Sequence, residues 1–276
     1  MTLKLLDLFS GIGGFSYAAE ELVGGFTTTQ FVELDPFCHN VLQKHWPEVP
    51  IHADVSTFTA EPGVFDVITA GFPCQDLSIA GKQRGLRAER SGLFYEVIRL
   101  AREIRPRFVL FENVGNLLSH QGGETFQEVL FQIAKAGFDA EWAIIPASDV
   151  GACHRRKRIW IIAYSQGTRA GQHEPRARRQ SEREFMSAAG DSNQKISITA
   201  AATGMGSKGS GQRWAATHYL DPNWHSYISE PVLCRGDDGL SGRVDRLKSL
   251  GNSIVPQVAA IPLQRIKALS QNLTLI

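Results

Sequence analysis

Two residues that could carry out covalent chemistry each follow an apolar stretch of this sequence. Cys74 lies in the segment GFPCQ at positions 71–75, after the apolar stretch Val64–Ala70. Glu112 directly follows a second such stretch, Phe108–Phe111. If both stretches are strands of an open parallel sheet, both side chains lie at the edge where such sheets bind ligands. Taken singly, the alternatives are a buried structural cysteine and a capping or salt-bridged glutamate.

These two residue types would complement each other in a reaction. A cysteine in a polar loop at a ligand-binding edge can act as a nucleophile. Pro73 restricts the backbone just before it. A carboxyl group held against apolar residues has a raised pKa, which would let Glu112 donate a proton near neutral pH. The pair therefore indicates covalent chemistry assisted by an acid.

Four consecutive basic residues, Arg155, Arg156, Lys157 and Arg158, precede a third apolar stretch at 159–162. Strand alternation predicts Arg156 and Arg158 on one face and Arg155 and Lys157 on the other. Because adjacent cations repel each other, we expect a phosphate or a buried carboxylate beside at least one face. The alternative is a basic edge strand that avoids aggregation.

The glycine-rich segment DLFSGIGG at positions 7–14 joins a predicted strand, Leu3–Phe9, to a predicted helix, Phe15–Leu22. Glycines in such a turn let the backbone approach a ligand closely. Ser16 stands where the third glycine of a dinucleotide fingerprint would fall. The turn therefore favours S-adenosylmethionine over NAD, and an ordinary strand–helix connection is the alternative.

Two acidic residues stand after the next predicted strands. Glu33 comes 22 residues after Gly11 and ends the predicted strand Thr28–Val32. A carboxylate at that position can accept hydrogen bonds from both hydroxyls of a ribose. Asp54 follows a third short segment and could accept from an adenine amino group. Together with the glycine turn, the two acids predict a nucleoside cofactor.

The elements that must position these residues alternate along the first 165 or so residues. The other predicted elements are the helices Phe37–His45 (opened by Pro36), Leu93–Ile104, Thr125–Lys135 and Val255–Leu269, and the strand Arg158–Tyr164. Alternating strands and helices predict an α/β protein with a doubly wound, mostly parallel sheet and helices on both faces.

Composition excludes several classes of protein. The 276 residues carry 29 Lys and Arg against 28 Asp and Glu, so no global basic field indicates a nucleic-acid partner. The mean hydropathy of -0.15 argues against disorder, and no apolar run approaches the roughly 18 residues of a membrane span. Four cysteines without paired spacing disfavour disulfides and a metal site. An acid at position 7 disfavours a secretory signal, so we expect a cytoplasmic protein that binds no membrane.

The composition changes after residue 164. Residues 165–217 are rich in Gly, Ser, Arg, Gln and Ala and show little periodicity. Between Arg169 and Arg183, five arginines and two glutamates give a local charge of +3. This pattern predicts a flexible basic linker, either solvated or in contact with phosphates.

Taken together, these segments resemble the C5-cytosine DNA methyltransferases. Residues 7–14 are similar to the family's cofactor loop, and Glu33 and Asp54 match its ribose and adenine acids. The triplets PCQ at 73–75 and ENV at 112–114 resemble its nucleophile and acid motifs, and Arg156 and Arg158 its paired arginines. The segment GNSIVP at 251–256 is similar to the C-terminal motif that folds back onto the cofactor domain. The resemblance covers about residues 3–164 and 243–269, and the short region between resembles that of phage- or prophage-borne members.

The resemblance implies a Rossmann-like methyltransferase with three parts. These are a catalytic and cofactor-binding domain at 1–164, a small irregular target-recognition region with the basic linker at 165–240, and a C-terminal segment at 241–276 that returns to the catalytic domain. It implies catalytic roles for Cys74, Glu112, Arg156 and Arg158. The implied S-adenosylmethionine site comprises Phe9, Ser10, Gly11, Ile12, Gly13, Gly14, Glu33, Leu34, Asp54, Val55, Pro73, Leu93, Asn252 and Ser253.

The implied reaction is methylation of a flipped cytosine in double-stranded DNA by a monomer that belongs to a restriction–modification setting. Cys74 would attack C6 while Glu112 acts at N3, after which C5 accepts the methyl group. The motif PCQ, without a sequence of the Asp-Pro-Pro-Tyr type, favours the ring carbon over an exocyclic amine. Alternatives are an RNA cytosine methyltransferase, a non-catalytic DNA-binding module with the same fold, and a nicotinamide enzyme.

Overall fold

The computed structural model of the protein describes residues 2–72, 92–165 and 253–272, and seven strands in this part of the chain form one sheet. The strands are β1 (Leu3–Leu8), β2 (Phe26–Val32), β3 (Ile51–His52), β4 (Val67–Gly71), β5 (Phe108–Val114), β6 (Phe138–Ile145) and β7 (Arg158–Ser165). Their order across the sheet is β3-β2-β1-β4-β5-β7-β6. The chain moves outward from β1 to β3 and then returns to place β4 on the other side of β1. Such a reversal creates the crevice at which open α/β sheets bind ligands.

Five α-helices accompany the sheet in the described ranges. They are α1 (Gly14–Tyr17), which continues as a π-helix over Ala18–Val23, α2 (Pro36–His45), α3 (Leu93–Ile104), α4 (Glu124–Lys135) and α5 (Pro256–Asn272). Helix α2 begins as predicted, because Pro36 occupies its first turn and the Asp35 carboxylate accepts the N–H of Phe37 at 2.9 Å. Short 3₁₀ segments lie at Gly115–Leu118, His120–Gly123 and Ala147–Val150.

The helices cover both faces of the sheet, which explains why its central strands are apolar throughout. On one face, Phe94 and Val97 of α3 pack with Phe111 of β5. On the other face, Phe15 of α1 and Val258 of α5 belong to the second buried cluster. Strands buried on both sides have no polar face, so they form continuous hydrophobic runs rather than alternating ones. The predicted α/β class with a doubly wound sheet is confirmed.

The sheet is mostly parallel, and the exception determines where one end of β7 lies. Strands β1 to β5 pair in parallel, whereas β7 runs antiparallel to both β5 and β6. Arg158, the first residue of β7, therefore pairs with Val114, the last residue of β5. The start of β7 consequently lies at the edge formed by the carboxyl ends of the parallel strands.

One strand, β6, was not predicted, because the polar residues Asp139 and Glu141 interrupt its apolar pattern. The short segment expected before Asp54 is β3, which has only two residues. β6 is an edge strand that pairs with β7 alone, so it needs no continuous apolar run. The helix predicted at Phe15–Leu22 is present, but most of it has π rather than α hydrogen bonding.

Helix α5 lies against the first helical segment and the sheet. The Lys267 ammonium donates to the Val23 carbonyl oxygen at 3.0 Å, and Arg265 forms an ion pair with Glu141 of β6 at 2.9 Å. The helix continues through Pro262. Within the described ranges, no helix is long and apolar enough to cross a membrane, and no cluster of His, Cys, Asp or Glu could hold a metal ion. The predicted linker and recognition region, 165–240, lies almost entirely outside the described residues.

Candidate active site

The glycine turn after β1 is held in a left-handed conformation. Phe9, Gly11 and Gly13 have φ angles of 54°, 53° and 82°. The Ser10 hydroxyl donates to the Asp7 carbonyl oxygen at 2.6 Å, and the N–H of Gly13 donates to the Ser10 carbonyl oxygen at 2.8 Å. The left-handed conformation is unfavourable for a residue with a Cβ atom, so the strain at Phe9 must be offset by the surrounding structure.

Of the three glycines in the turn, Gly11 faces open space. A Cβ atom on Gly11 would meet nothing within 4 Å. On Gly13 it would lie 2.5 Å from the Trp46 ring, and on Gly14 it would lie 2.7 Å from Cγ1 of Ile254. Gly11 therefore marks where a ligand can approach the backbone. The other two permit close packing against Trp46, just after α2, and against the segment that leads into α5.

Glu33 fastens the turn from the neighbouring strand end. Its Oε2 accepts the N–H of Gly11 at 2.7 Å, and its Oε1 accepts the N–H of Asp35 at 2.8 Å. The N–H of Glu33 itself donates to the His52 carbonyl oxygen at 3.0 Å. Each carboxylate oxygen can accept a second hydrogen bond, so Glu33 can still accept hydrogen bonds from the hydroxyls of a ribose. The structure brings Glu33 and the glycine turn together, as the sequence predicts.

The remaining predicted cofactor residues of this side lie along the same edge. The Leu34 side chain is 74% exposed, and Asp54 is also exposed, whereas Val55 is buried. Oδ1 of Asp54 accepts the N–H and the hydroxyl of Ser56, and these hydrogen bonds lower the pKa of Asp54. Leu93 begins α3. A parallel pairing of β2 with β3 places Glu33 and Asp54 at one edge of the sheet.

A buried acid lies beneath the glycine turn. Asp7 of β1 is fully buried, and its carboxylate oxygens accept the hydroxyls of Thr69 at 2.7 Å and Ser16 at 2.9 Å. Burial raises the pKa of Asp7 to about 7, although both hydroxyl hydrogen bonds act in the opposite direction. Ser16, which distinguishes the turn from a dinucleotide fingerprint, thus has a defined partner. Sequence reasoning missed this cluster, because nothing local shows that Thr69 lies beside Asp7.

On the other side of the edge, Glu112 forms an ion pair with Arg158. Oε1 of Glu112 lies 3.0 Å from Nε of Arg158, and the two side chains are 13% and 24% exposed. Glu112 pairs with Gly71 on β4, and a Cβ atom on Gly71 would lie 3.5 Å from Oε2. The buried carboxylate expected beside one face of the basic segment is therefore Glu112.

The surroundings of Glu112 favour its protonated form. Trp160, Val255 and Val258 line the same small cavity as its carboxyl group. Burial raises the pKa of Glu112, and the positive charges of Arg158 and Arg156 only partly oppose that shift. This is the direction that the apolar sequence before Glu112 predicts.

Arg156 connects this acid to the C-terminal segment. Its Nη2 donates to the Ser253 carbonyl oxygen at 2.7 Å. Burial and the nearby Arg158 lower the pKa of Arg156. Arg156 has a φ of 27° and precedes β7, so strand alternation is not what brings the two arginines together. Arg155 and Lys157 are exposed, whereas Arg156 and Arg158 are partly buried, which is the predicted division.

Asn113 fixes the chain at the carboxyl end of β4. Its amide Nδ2 donates to the Phe72 carbonyl oxygen at 2.9 Å, and its Oδ1 accepts the N–H of Val114 at 2.8 Å. Asn113 and Phe72 are both buried. The backbone two residues before Cys74 is thereby tied to the strand end that carries Glu112. Three predicted site residues, Pro73, Cys74 and Asn252, lie outside the described residues.

Sequence reasoning also missed a side chain that links two parts of the site. Arg99 of α3 donates to the Val55 and Phe58 carbonyl oxygens at 2.9 and 3.0 Å. Its spacing from Glu96 and Glu103 on the helix indicates ion pairs along one face, and both ion pairs are present. The spacing gives no sign of the contact with the loop after β3.

The residues present suit a nucleoside cofactor of the S-adenosylmethionine type. The backbone at Gly11 is open to approach, and a partly satisfied carboxylate stands beside it. Asp54, a further hydrogen-bond acceptor whose pKa is lowered by its contacts with Ser56, lies at the same edge. Gly11, Glu33, Asp54 and Ser253 would be the residues to hold such a group.

Comparison with known proteins gives a consistent result. A family model described as C-5 cytosine-specific DNA methylase matches residues 3–213. The chain is 35% identical over 163 residues to the Type II methyltransferase M.DsaV of Dactylococcopsis salina, covering 59% of this chain and 46% of that protein. It is 33% identical over 163 residues to the Type II methyltransferase M.HhaI of Haemophilus parahaemolyticus, covering 59% and 49%.

A similar structure has also been solved. The crystal structure of a protein described as a DNA modification methyltransferase encoded within an E. coli prophage aligns with a TM-score of 0.50 and 26% identity, over 62% of this chain and 49% of that one. The chain spans about half the length of the curated relatives that it matches.

Proposed function

Because this chain belongs to the C-5 cytosine-specific DNA methylase family, we propose that it methylates C5 of cytosine in double-stranded DNA with S-adenosylmethionine as the donor. The observation that carries the proposal is the ion-paired acid Glu112 at the same sheet edge as the glycine turn. The turn follows β1 and Glu112 lies on β5, two strands away, which is about 10 Å. That distance suits a donor and an acceptor that meet between them.

Glu112 supplies the acid. Its raised pKa keeps the carboxyl group protonated closer to neutral pH than that of a free glutamate. A protonated carboxyl that faces N3 of a flipped cytosine withdraws electron density from the ring, which makes C6 a better electrophile. Arg158 holds the carboxyl through its Oε1 and leaves Oε2, on the side of Gly71, to face the base.

Cys74 supplies the nucleophile. Its thiolate forms a bond to C6, and the electron pair of the C5–C6 double bond becomes available at C5 as Glu112 protonates N3. When held beside Gly11 and Glu33, S-adenosylmethionine would supply the methyl group of its sulfonium to C5, and its sulfur would leave as a neutral thioether. A base then removes the C5 proton, and the electron pair of that C–H bond restores the C5–C6 double bond as Cys74 leaves as a thiolate. N3 returns its proton to Glu112. The Asn113 amide donates a hydrogen bond to the Phe72 carbonyl oxygen, two residues before Cys74, which supports a position for Cys74 near Glu112.

The two arginines have different roles in this proposal. Arg158 orients Glu112 directly. Arg156 reaches the Ser253 carbonyl oxygen, so it secures the C-terminal segment beside the acid. Their positive charges also favour a substrate phosphate at this edge. Arg155 and Lys157, which are exposed next to them, extend the same positive surface.

The test is a covalent trap. In a long duplex with 5-fluorocytosine in place of cytosine, C5 carries no proton to remove, so the reaction stops with Cys74 attached to C6. We expect the wild-type protein with S-adenosylmethionine to give an adduct that survives denaturation. Cys74→Ser should give none and should lose methyl transfer by about three orders of magnitude or more. Cys153→Ser, at an exposed cysteine, is the matched control and should behave as wild type.

Near wild-type turnover by Cys74→Ser would falsify the assignment of the nucleophile. Methyl incorporation into tRNA but not into duplex DNA would support the RNA-directed alternative. Binding of duplex DNA without adduct or methyl transfer by folded protein would support a DNA-binding module instead.

A further inference from the structure

We infer that Arg99 is a positioning residue for recognition of the cofactor's adenine, and that it acts by holding the backbone of the loop that carries Asp54. This inference rests on the proposed function. The loop, residues 53–60, connects β3 to the chain before β4 and carries Asp54 and Val55 at the cofactor edge. Its side chains at 53, 54, 56, 57 and 59 are exposed, so packing alone fixes little of it.

The loop is attached to the core at two side chains and to α3 at three backbone atoms. Val55 and Phe58 are buried in the larger cluster. Nη2 of Arg99 donates to the carbonyl oxygens of both residues, at 2.9 and 3.0 Å. Oε1 of Glu103 accepts the N–H of Ala60 at 2.9 Å. All three backbone contacts come from neighbouring turns of one helix face.

The Arg99 guanidinium is itself held in place. Its Nε donates to Glu96 at 2.7 Å and its Nη1 donates to Glu103 at 3.0 Å. Two carboxylates thus fix the plane of the group, and Nη2 is directed at the loop. Four of the five N–H groups of an arginine side chain are used in this arrangement. The two carboxylates offset the charge of the guanidinium, so one rigid donor spans two carbonyl oxygens.

The consequence concerns Asp54, which lies directly before Val55. The Asp54 carboxylate is oriented by Ser56, within the same turn. The position of that turn relative to the sheet edge depends on Val55 and Phe58, because Arg99 donates to the carbonyl oxygens of both residues. Without the guanidinium, the carboxylate would no longer have a fixed distance to the amino group of an adenine. Glu33 depends on different contacts, to Gly11 and Asp35, and should be unaffected.

The separation of these two acids allows a sharp test. S-adenosylhomocysteine and its inosine counterpart share the ribose and the amino-acid chain. They differ at two adjacent ring positions: the purine amino group, a donor, is replaced by a carbonyl, an acceptor, and N1 changes from an acceptor to an N–H donor. Wild-type protein should bind the adenine compound more than tenfold more tightly, as expected when one good hydrogen bond is replaced by an unfavourable contact. Titration calorimetry with each compound measures this ratio.

Arg99→Met should lower the affinity for S-adenosylhomocysteine about tenfold and bring the ratio close to one. The loss should appear as a rise of about tenfold in the KM for S-adenosylmethionine and not in the KM for DNA, because Glu112 lies on another part of the sheet. Arg99→Lys keeps a charge and a donor but cannot span both carbonyl oxygens. Its affinity and its ratio should therefore lie between those of wild type and Arg99→Met. Arg102→Met, at an exposed arginine of the same helix, is the control and should match wild type.

The outcomes separate the inference from the proposed function. If wild-type protein binds neither compound, the proposed cofactor is wrong and the inference falls with it. If wild type discriminates but Arg99→Met loses affinity for both compounds equally, with the ratio unchanged, Arg99 serves stability alone and the inference is overturned. If Arg99→Met does not fold, the same two readings apply to Arg99→Lys.

Discussion

The two sides of the candidate site are built by different means. Around the glycine turn, the shape depends on backbone conformation: three residues with positive φ and hydrogen bonds between N–H groups and the carboxylate of Glu33. Around Glu112, the properties depend on charge and burial: an acid with a raised pKa that is ion-paired with Arg158 and also feels the charge of Arg156. The cofactor side is therefore sensitive to changes in shape, and the base side to changes in charge.

The largest expected effect on methyl transfer is that of Glu112→Gln, which keeps the shape of the side chain and removes the acid. Methyl transfer should fall by about 10²–10⁴-fold, the range for loss of a general acid, as measured by incorporation of labelled methyl groups into DNA. The dissociation constant for S-adenosylhomocysteine should stay within about twofold of wild type, because Glu33 and Gly11 are unchanged. Glu124→Gln, at an exposed glutamate that begins α4, is the control.

The pH profile provides a second readout for Glu112. Because burial raises its pKa, the acid form persists to higher pH than in a free glutamate. Wild-type kcat should therefore decline on the alkaline side as Glu112 loses its proton, and the small residual activity of Glu112→Gln should lack that decline. If the variant loses cofactor affinity as strongly as turnover, the two sides of the site are not independent.

A change of shape without charge should affect the cofactor side. Gly13→Ala places a Cβ atom 2.5 Å from the Trp46 ring at a φ of 82°, so we expect the free energy of unfolding to fall by roughly 2–4 kcal/mol. Gly11→Ala has a φ of 53° and open space, so its cost should be about 1–2 kcal/mol. Urea unfolding monitored by circular dichroism measures both.

The same pair separates packing from ligand contact. Gly11→Ala places a methyl group where the backbone is open, so it should weaken cofactor binding more than it weakens the fold. Gly13→Ala should do the reverse. Equal losses of stability in the two variants would show that the contact with Trp46 does not distinguish them. Unchanged cofactor affinity in Gly11→Ala would show that the open face of Gly11 has no special role.

Sequence reasoning reached the cofactor side more fully than the base side, for a physical reason. The glycine turn, α3 and the acid Glu33 are encoded by local spacing: left-handed turns need glycine, and a buried helix face needs apolar residues three and four apart. α3 was predicted with the bounds that the structure shows, Leu93–Ile104. The π-helical hydrogen bonding after α1 was not predicted, since nothing local in the sequence distinguishes it from an α-helix.

The base side depends on pairing between distant strands. In a wholly parallel sheet, the start of the strand Arg158–Tyr164 would lie at the opposite edge from Glu112. Arg158 meets Glu112 because β7 is antiparallel, and local pattern does not show strand direction. The resemblance to a family supplied that association. Likewise, the spacing of Arg99 from Glu96 and Glu103 indicates ion pairs along its own helix. It does not indicate the hydrogen bonds to Phe58 and Val55, which lie 41 and 44 residues away in the sequence.

One titratable group on the cofactor side depends on burial, as Glu112 does. Asp7 is fully buried beneath the glycine turn, with a pKa of about 7 in the folded protein against an ordinary value of 3.8. Between those two values the folded protein holds a proton that the unfolded chain has released. The contribution of Asp7 to the free energy of unfolding should therefore decrease as pH rises from about 4 to 7, by up to roughly 1.4 kcal/mol per pH unit, and level off above pH 7.

Asp7→Asn isolates this contribution, because the amide is neutral at every pH and nearly the same shape. The hydroxyls of Ser16 and Thr69 can each donate or accept, so the amide can keep both as partners. The difference in unfolding free energy between wild type and variant, measured by urea titration from pH 4.5 to 8, should move in favour of the variant as pH rises. Asp149→Asn, at an exposed aspartate, should show no such trend. A pH-independent difference for Asp7→Asn would mean that Asp7 stays ionised throughout, so that the hydroxyl hydrogen bonds outweigh burial and the cofactor side too is governed by a fixed charge.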